Sequence, residues 1–187
     1  MTSISPIDKP ITIVAISGSL RPNSSNHAVL NVVKEIIGDR AKFTQFEGLT
    51  DIPAFDDNPN PVRAVFDFRN LLREADGVLI CSPEYAFGIP GALKNAIDWT
   101  VSSGELVNKP LALITAATGG EKAHAAWLLV FTALSANMPD GSMLHLPYIR
   151  SKLNQNGQIN NPEILKTIEN VVDSLIITIN QTRNRIE

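Results

Sequence analysis

The chain alternates short, nearly continuous apolar runs with longer stretches in which apolar residues recur every three or four positions. The first pattern reads as strands buried on both faces and the second as amphipathic helices; their alternation predicts a parallel sheet covered on both sides. A first strand is predicted over 11–17. A helix follows from near His27, with Val29, Val32, Val33, Ile36 and Ile37 inward and a stop at Gly38. After a second strand over 41–46, the segment 47–60 carries prolines and acids and reads as a loop. Loops this long in a compact domain are functional or serve an interface. Asn60-Pro61 is expected to cap a second helix, proline at its first position, with Val65, Phe66, Leu71 and Leu72 buried. Further elements are a strand over 77–81, a helix over 91–101 burying Ala92, Leu93, Ala96, Ile97 and Val101, and a strand over 110–115. A helix over 121–136, a strand near 142–147 and a long helix capped by Asn161-Pro162 complete the chain. The helix 121–136 holds Trp127-Leu128-Leu129-Val130-Phe131, apolar around much of its circumference, which predicts deep burial or a subunit contact.

Five strands and five helices in strict alternation fit the flavodoxin-like doubly wound α/β sheet, order 2-1-3-4-5, with helices on both faces. Such sheets bind ligands outside the carboxyl ends of the strands, at the switch point between the first and third. A length of 187 residues suits one domain over 1–187, with 1–10 expected to be a loosely ordered extension. The composition, 44% hydrophobic and 19% charged, is that of a soluble globular protein, and a net charge of −3 argues against nucleic acid. No apolar run reaches membrane-spanning length, and Met1 to Pro6 lacks signal-peptide character, so a cytoplasmic protein without a membrane partner is expected. The lone cysteine, Cys81, fits that reducing setting and reads as an inert buried thiol.

The switch-point rule directs attention to three loops. The first runs from Gly18 to Asn26 and offers Ser19, Arg21, Ser24, Ser25 and Asn26 beside a helix start. Unpartnered helix N–H groups, the helix dipole, hydroxyls and a guanidinium fork make a phosphate cradle, and Asn26 is expected also to cap the helix. The second loop reads Ser82-Pro83-Glu84-Tyr85-Ala86-Phe87-Gly88-Ile89-Pro90-Gly91. Its prolines and glycines predict a fixed backbone, and its aromatics suit a flat heteroaromatic ring. The third ends in Thr118-Gly119-Gly120, where the backbone can approach a ligand closely. A phosphate at one end and a planar ring at the other describe flavin mononucleotide.

Gly18-Ser19-Leu20-Arg21 with Ser24 and Asn26 resembles the phosphate loop G-S-L-R-x-x-S-x-N of the NADPH-dependent FMN reductase family, which includes quinone, chromate and azo-dye reductases. Pro83-Glu84-Tyr85 with Pro90-Gly91-Ala92-Leu93-Lys94-Asn95-Ala96-Ile97-Asp98-Trp99 is similar to its second signature, P-E-Y-x₄-P-G-x-L-K-N-A-x-D-W. The resemblance spans about 11 to 135. It implies that Ser19, Arg21, Ser24 and Asn26 hold the FMN phosphate, and that Pro83, Glu84, Tyr85 and the neighbouring backbone of Ala86 and Phe87 line the ring and ribityl chain. Thr118, Gly119 and Gly120 would face the ring. Ala86 and Gly88 replace the Asn and Ser of one common form, which removes those side-chain contacts and leaves backbone ones. The resemblance further implies hydride transfer from NADPH or NADH, a transient visitor, through flavin N5 to a small acceptor by ping-pong turnover. It implies a homodimer or homotetramer as well. No catalytic side chain is needed, because the cofactor performs the redox chemistry.

Other residues carry plainer readings. Lys94 and Asp98 form a surface pair, Asn95 and Trp99 serve packing and helix entry, and Glu84 has a backbone or structural role. His27, His124 and His145 lack metal-ligand spacing, so no metal site is expected. A low-molecular-weight phosphatase would need arginine six positions after Cys81, where Phe87 stands, and neither a P-loop nor a G-x-G-x-x-G fingerprint occurs. The competing class is a flavin-binding electron carrier or sensor with no small-molecule substrate.

Overall fold

The computed structural model describes residues 9–185. All but the end of the expected N-terminal extension lies outside them. The elements run β1 (Thr12–Ser17), α1 (Ser25–Ile37), β2 (Lys42–Phe46), α2 (Arg63–Glu74), β3 (Gly77–Ser82), α3 (Gly91–Asp98), β4 (Leu111–Ala117), α4 (Glu121–Ala133), β5 (Met143–Pro147) and α5 (Pro162–Asn184). The five strands form one parallel sheet in the order β2-β1-β3-β4-β5, as the alternation predicts. β3 and β4 are buried along their whole length, because helices cover both faces. Helices α1 and α5 pack on one face, and α2, α3 and α4 on the other. Among the described residues, no helix is long and apolar enough to cross a membrane.

Local chemistry accounts for the helix ends that were legible. Gly38 closes α1 at φ 52, and its N–H returns to the Lys34 carbonyl. Asn161 caps α5, its side chain accepting from the N–H groups of Glu163 and Ile164, with Pro162 at the first helical position.

Other expectations are corrected. Ser24, not Asn26, caps α1, its hydroxyl accepting from His27 N–H. Helix α2 begins at Arg63 rather than behind Asn60-Pro61; Val62 is extended, and its carbonyl starts the first turn. Phe66 is exposed and Phe68 buried, because the Phe68 ring meets Phe46 of β2 at 4.8 Å. Helix α3 stops at Asp98, three residues before the predicted end, and Val101 is exposed. Helix α4 buries Ala123, Trp127 and Phe131, with Trp127 stacked on Phe131 at 5.0 Å, and leaves Leu129 74% exposed. It is therefore a one-sided helix within the fold, despite its apolar circumference.

The amino-end edge of the sheet is clamped by one carboxylate. Asp76, just before β3, accepts from Thr12 N–H at 2.7 Å, from Thr12 Oγ1 at 2.8 Å, and from Arg183 of α5 at 2.7 and 3.0 Å. Arg183 also donates to the carbonyls of Lys9 and Pro10. Burial alone would raise the Asp76 pKa, but the hydrogen bonds from Arg183 and Thr12 outweigh it and hold the carboxyl below its ordinary value. A depressed folded-state pKa adds stability that is fully present above the unfolded value, near 3.9. That contribution is lost as pH falls through the lower folded one. We expect Asp76→Ala to cost about 2–3 kcal/mol in urea unfolding at pH 7. The gap between variant and wild type should narrow toward pH 2, and a pH-independent gap would remove the charge from the account.

Candidate functional site

Three loops converge at the carboxyl edge of β1, β3 and β4. Gly18 N–H donates to the Cys81 carbonyl at 2.8 Å, which seats the first loop on β3. A Cβ at position 18 would stand 2.9 Å from Leu93 Cδ2 and 3.0 Å from Pro83 Cδ, so any other residue would crowd this approach and push its neighbours aside. Ser17, Ser19 and Ser24 are all buried at the turn. The Ser17 hydroxyl bonds to the Ser19 backbone, and Ser19 Oγ lies 3.4 Å from both Arg21 N and Tyr85 Oη. Arg21 and Asn23 are exposed at the rim, Asn23 in the left-handed region at φ 57. Ser25 is half-buried at the first helical position, where backbone N–H groups have no intrahelical acceptor.

Asn26 occupies a different place from the rest of its motif. It is buried inside α1, its Nδ2 donates to the Ala116 carbonyl at 3.1 Å, and the Cys81 thiol approaches its Oδ1 at 3.2 Å. The amide thus fastens the start of α1 to β3 and β4. Burial pushes the Cys81 thiol strongly upward, so it stays protonated and able to donate.

The second loop is a tight hairpin. Tyr85 and Gly88 exchange N–H···O=C hydrogen bonds of 3.0 and 2.9 Å, and the two residues between them, Ala86 at φ 48 and Phe87 at φ 60, are both left-handed. This is the backbone of a type I′ turn, which glycine and asparagine favour and phenylalanine does not. The strain falls on Ala86 and Phe87, while Gly88 is not among the left-handed residues. The turn displays Phe87, 82% exposed, and Tyr85, 44% exposed, so neither is a core aromatic. Pro83 is buried against the first loop.

Glu84 links the second loop to the third. Its Oε2 accepts from Ala123 N–H at 2.9 Å, in the first turn of α4. That hydrogen bond holds its carboxyl below the usual range; burial opposes it, and the Gly120 and Lys122 N–H groups and His145 add to the lowering. Thr118 and Gly119 are exposed, and Gly120, at φ 104, precedes α4. His145 Nε2 lies 2.7 Å from the Gly119 carbonyl, while His124 Nδ1 lies 2.8 Å from Thr115 Oγ1. Burial, and secondarily His145, lower the His124 pKa, so His124 is neutral near pH 7. Neither histidine was singled out by sequence pattern as part of the site; His145 is brought there by the pairing of β5 with β4, and His124 by α4 lying against β4.

Sequence reasoning also understated Asn95 and Trp99. Asn95 accepts from Phe55 N–H and donates to the Pro53 carbonyl, both at 2.8 Å. Trp99 Nε1 donates to the same carbonyl at 2.9 Å, and its ring meets Phe55 edge-on at 5.2 Å. These two side chains pin the long segment after β2 beside the site. The Lys94–Asp98 pair is present on the same helix, partly exposed.

A sequence profile of the NADPH-dependent FMN reductase family matches residues 11–149. The chain is 28% identical over 182 residues to an NADH-dependent flavin reductase subunit 2 of Lactobacillus johnsonii, covering 91% of this chain and 98% of that one. It is 32% identical over 149 residues to a quinone reductase of Escherichia coli K12, covering 72% and 78%. Among solved structures it is similar to the flavoenzyme NAD(P)H:(acceptor) oxidoreductase FerB of Paracoccus denitrificans, with a TM-score of 0.81 at 23% identity over 91% of this chain and 98% of the other. Two motifs at the switch point of the sheet, a profile match across most of the chain, and relatives matched over most of their length agree: the chain belongs to the NADPH-dependent FMN reductase family.

Proposed function

We propose that this protein is a reductase that binds FMN at the three converging loops and passes reducing equivalents from NAD(P)H to a small oxidised acceptor. The observation that carries the reading is the junction of the first two loops. A turn of buried serine hydroxyls at a helix start meets, through Ser19 and Tyr85, a strained hairpin with exposed aromatics. The residues fit the cofactor on their own chemistry. Ser19, Ser24, Ser25, Arg21 and the first N–H groups of α1 supply donors for a phosphate dianion. Backbone and side chains of Pro83, Glu84, Tyr85, Ala86 and Phe87 would line one side of the ring, and Thr118, Gly119 and Gly120 the other. Asn26 would act from behind, through its hydrogen bond to β4 and its backbone at the helix start.

When bound, FMN supplies two-electron chemistry at N5, accepting hydride and releasing it to an acceptor. The protein's part is to position the ring and keep it open to a second planar molecule. Glu84 orders the β4 loop by capping α4, and His145 fixes the Gly119 carbonyl, so the peptide facing the ring is set before binding. NAD(P)H and the acceptor would take turns on the same exposed face. That order favours ping-pong kinetics and acceptors such as quinones, azo compounds, chromate or free flavin. A homodimer or homotetramer belongs to the same reading, supported by the exposed Phe87 and Leu129.

The decisive experiment is anaerobic mixing of FMN-loaded protein with NADPH or NADH. We expect rapid loss of the yellow colour, and recovery on adding a quinone; a colour that persists identifies an electron carrier or sensor instead. Arg21→Ala should weaken FMN binding about ten- to a hundredfold, the loss of one charge-assisted hydrogen bond of about 1.5–3 kcal/mol. Melting of the apoprotein should not change. Flavin fluorescence titration reads the affinity, and an unaltered value would take Arg21 out of the phosphate site. Ala86→Gly relieves one left-handed alanine and should stabilise the protein by about 1 kcal/mol in chemical denaturation. A loss of stability would mean that the hairpin is not the turn described.

A further inference from the structure

A cleft of about 400 Å³ opens on the β2 side of the phosphate loop. Its walls are Ser17, Ser19 and His27 from the loop and helix start, and Phe46, Glu47 and Thr50 from the end of β2 and the turn after it. It includes no residue of the β3 or β4 loops. Because β2 and β3 flank β1 on opposite sides, the cleft and the ring shelf lie to either side of one phosphate loop.

We infer that this cleft takes the adenosine 5′-phosphate half of flavin adenine dinucleotide, so that the chain accepts FAD as well as FMN. The inference rests on the reading that the loop holds a flavin phosphate. In FAD that same phosphate continues, through an anhydride, into adenosine monophosphate. A group leaving the loop away from the ring side enters the β2 cleft, whose volume lies within the range of about 300–1,000 Å³ usual for small-molecule sites.

The chemistry of the walls matches the three parts of the group. The Phe46 ring, braced by Phe68 at 4.8 Å, offers a face for adenine, with the buried Leu49 beside it. Gln45 and Thr50 carry donors and acceptors for a purine edge. Glu47 stands exposed directly after β2, where its carboxylate can accept from ribose hydroxyls as the acid of dinucleotide-binding Rossmann sheets does. The same charge would repel a phosphate on that ribose. Where the Ser24 hydroxyl donates to His27 Nδ1, 2.7 Å away, His27 carries its proton on Nε2 and can donate to the second phosphate, leaving the first to Ser19, Ser25, Arg21 and the α1 N–H groups.

The test is equilibrium binding of FMN and of FAD to flavin-stripped full-length protein, followed by fluorescence quenching, with wild type and Thr50→Trp. Thr50 is exposed, lines the cleft from the turn after β2 and lies outside the residues assigned to FMN, so tryptophan there occupies the cleft while the phosphate loop keeps its own donors. We expect FAD to bind wild type within about tenfold of FMN, and Thr50→Trp to lower FAD affinity at least fivefold more than FMN affinity. Retained FMN binding by the variant shows that it has folded. FAD binding more than tenfold weaker than FMN, or a selective loss below fivefold, overturns the inference while leaving the FMN assignment standing. Failure of wild type to bind either flavin overturns both. Should Thr50→Trp bind neither flavin while wild type binds both, Glu47→Lys is read in its place, against the same fivefold criterion.

Discussion

Residue 18 has no side chain, and the arrangement of the site follows from that. The first loop turns so closely against the third strand's loop that a single methyl there would crowd Pro83 and Leu93 of α3. The close approach lets Gly18 N–H reach the Cys81 carbonyl and carries Ser19 to the neighbourhood of Tyr85. Two segments more than sixty residues apart in the chain thereby form one surface. A helix start with open N–H groups and an aromatic hairpin would be unremarkable separately; their contact makes them the candidate site proposed for a ligand with a charged tail and a flat head.

Around that contact the structure fastens each loop from outside. Asn26 reaches β4 and β3 from within α1, Glu84 reaches the first turn of α4, and His145 reaches Gly119 from β5. Asn95 and Trp99 hold the segment 52–55. None of these partners is a sequence neighbour. They are long-range hydrogen bonds formed once the sheet is assembled, and they fix backbone geometry ahead of ligand binding. The strained pair Ala86–Phe87 persists because Tyr85 and Gly88 close the turn on both strands, and because the loop's roots, Pro83 and Glu84, are anchored.

The two ends of the sheet are built on opposite principles. At the amino ends, Asp76, Thr12 and Arg183 form a tight ionic clamp whose members satisfy one another. At the carboxyl ends, hydroxyls, open N–H groups, an exposed arginine and exposed aromatics are left facing outward. The ionic clamp is set away from the candidate site, and hydrogen-bonding capacity is left where a ligand can use it.

Strand order and element sequence were readable from the chain because strands covered on both faces must be continuously apolar, and a helix leaning on them must repeat every three to four residues. The caps at Gly38 and Asn161 were readable for the same local reason. The two family motifs are likewise local strings. What the sequence could not express was which polar side chain satisfies which distant group. Asn26 as a tie rather than a cap, Phe68 rather than Phe66 inward, and the left-handed Ala86 and Phe87 each depend on a partner brought close only by folding. Periodicity reports the direction in which a side chain faces the sheet. It carries no information on hydrogen bonds spanning tens of residues, and in this protein those bonds decide the shape of the site.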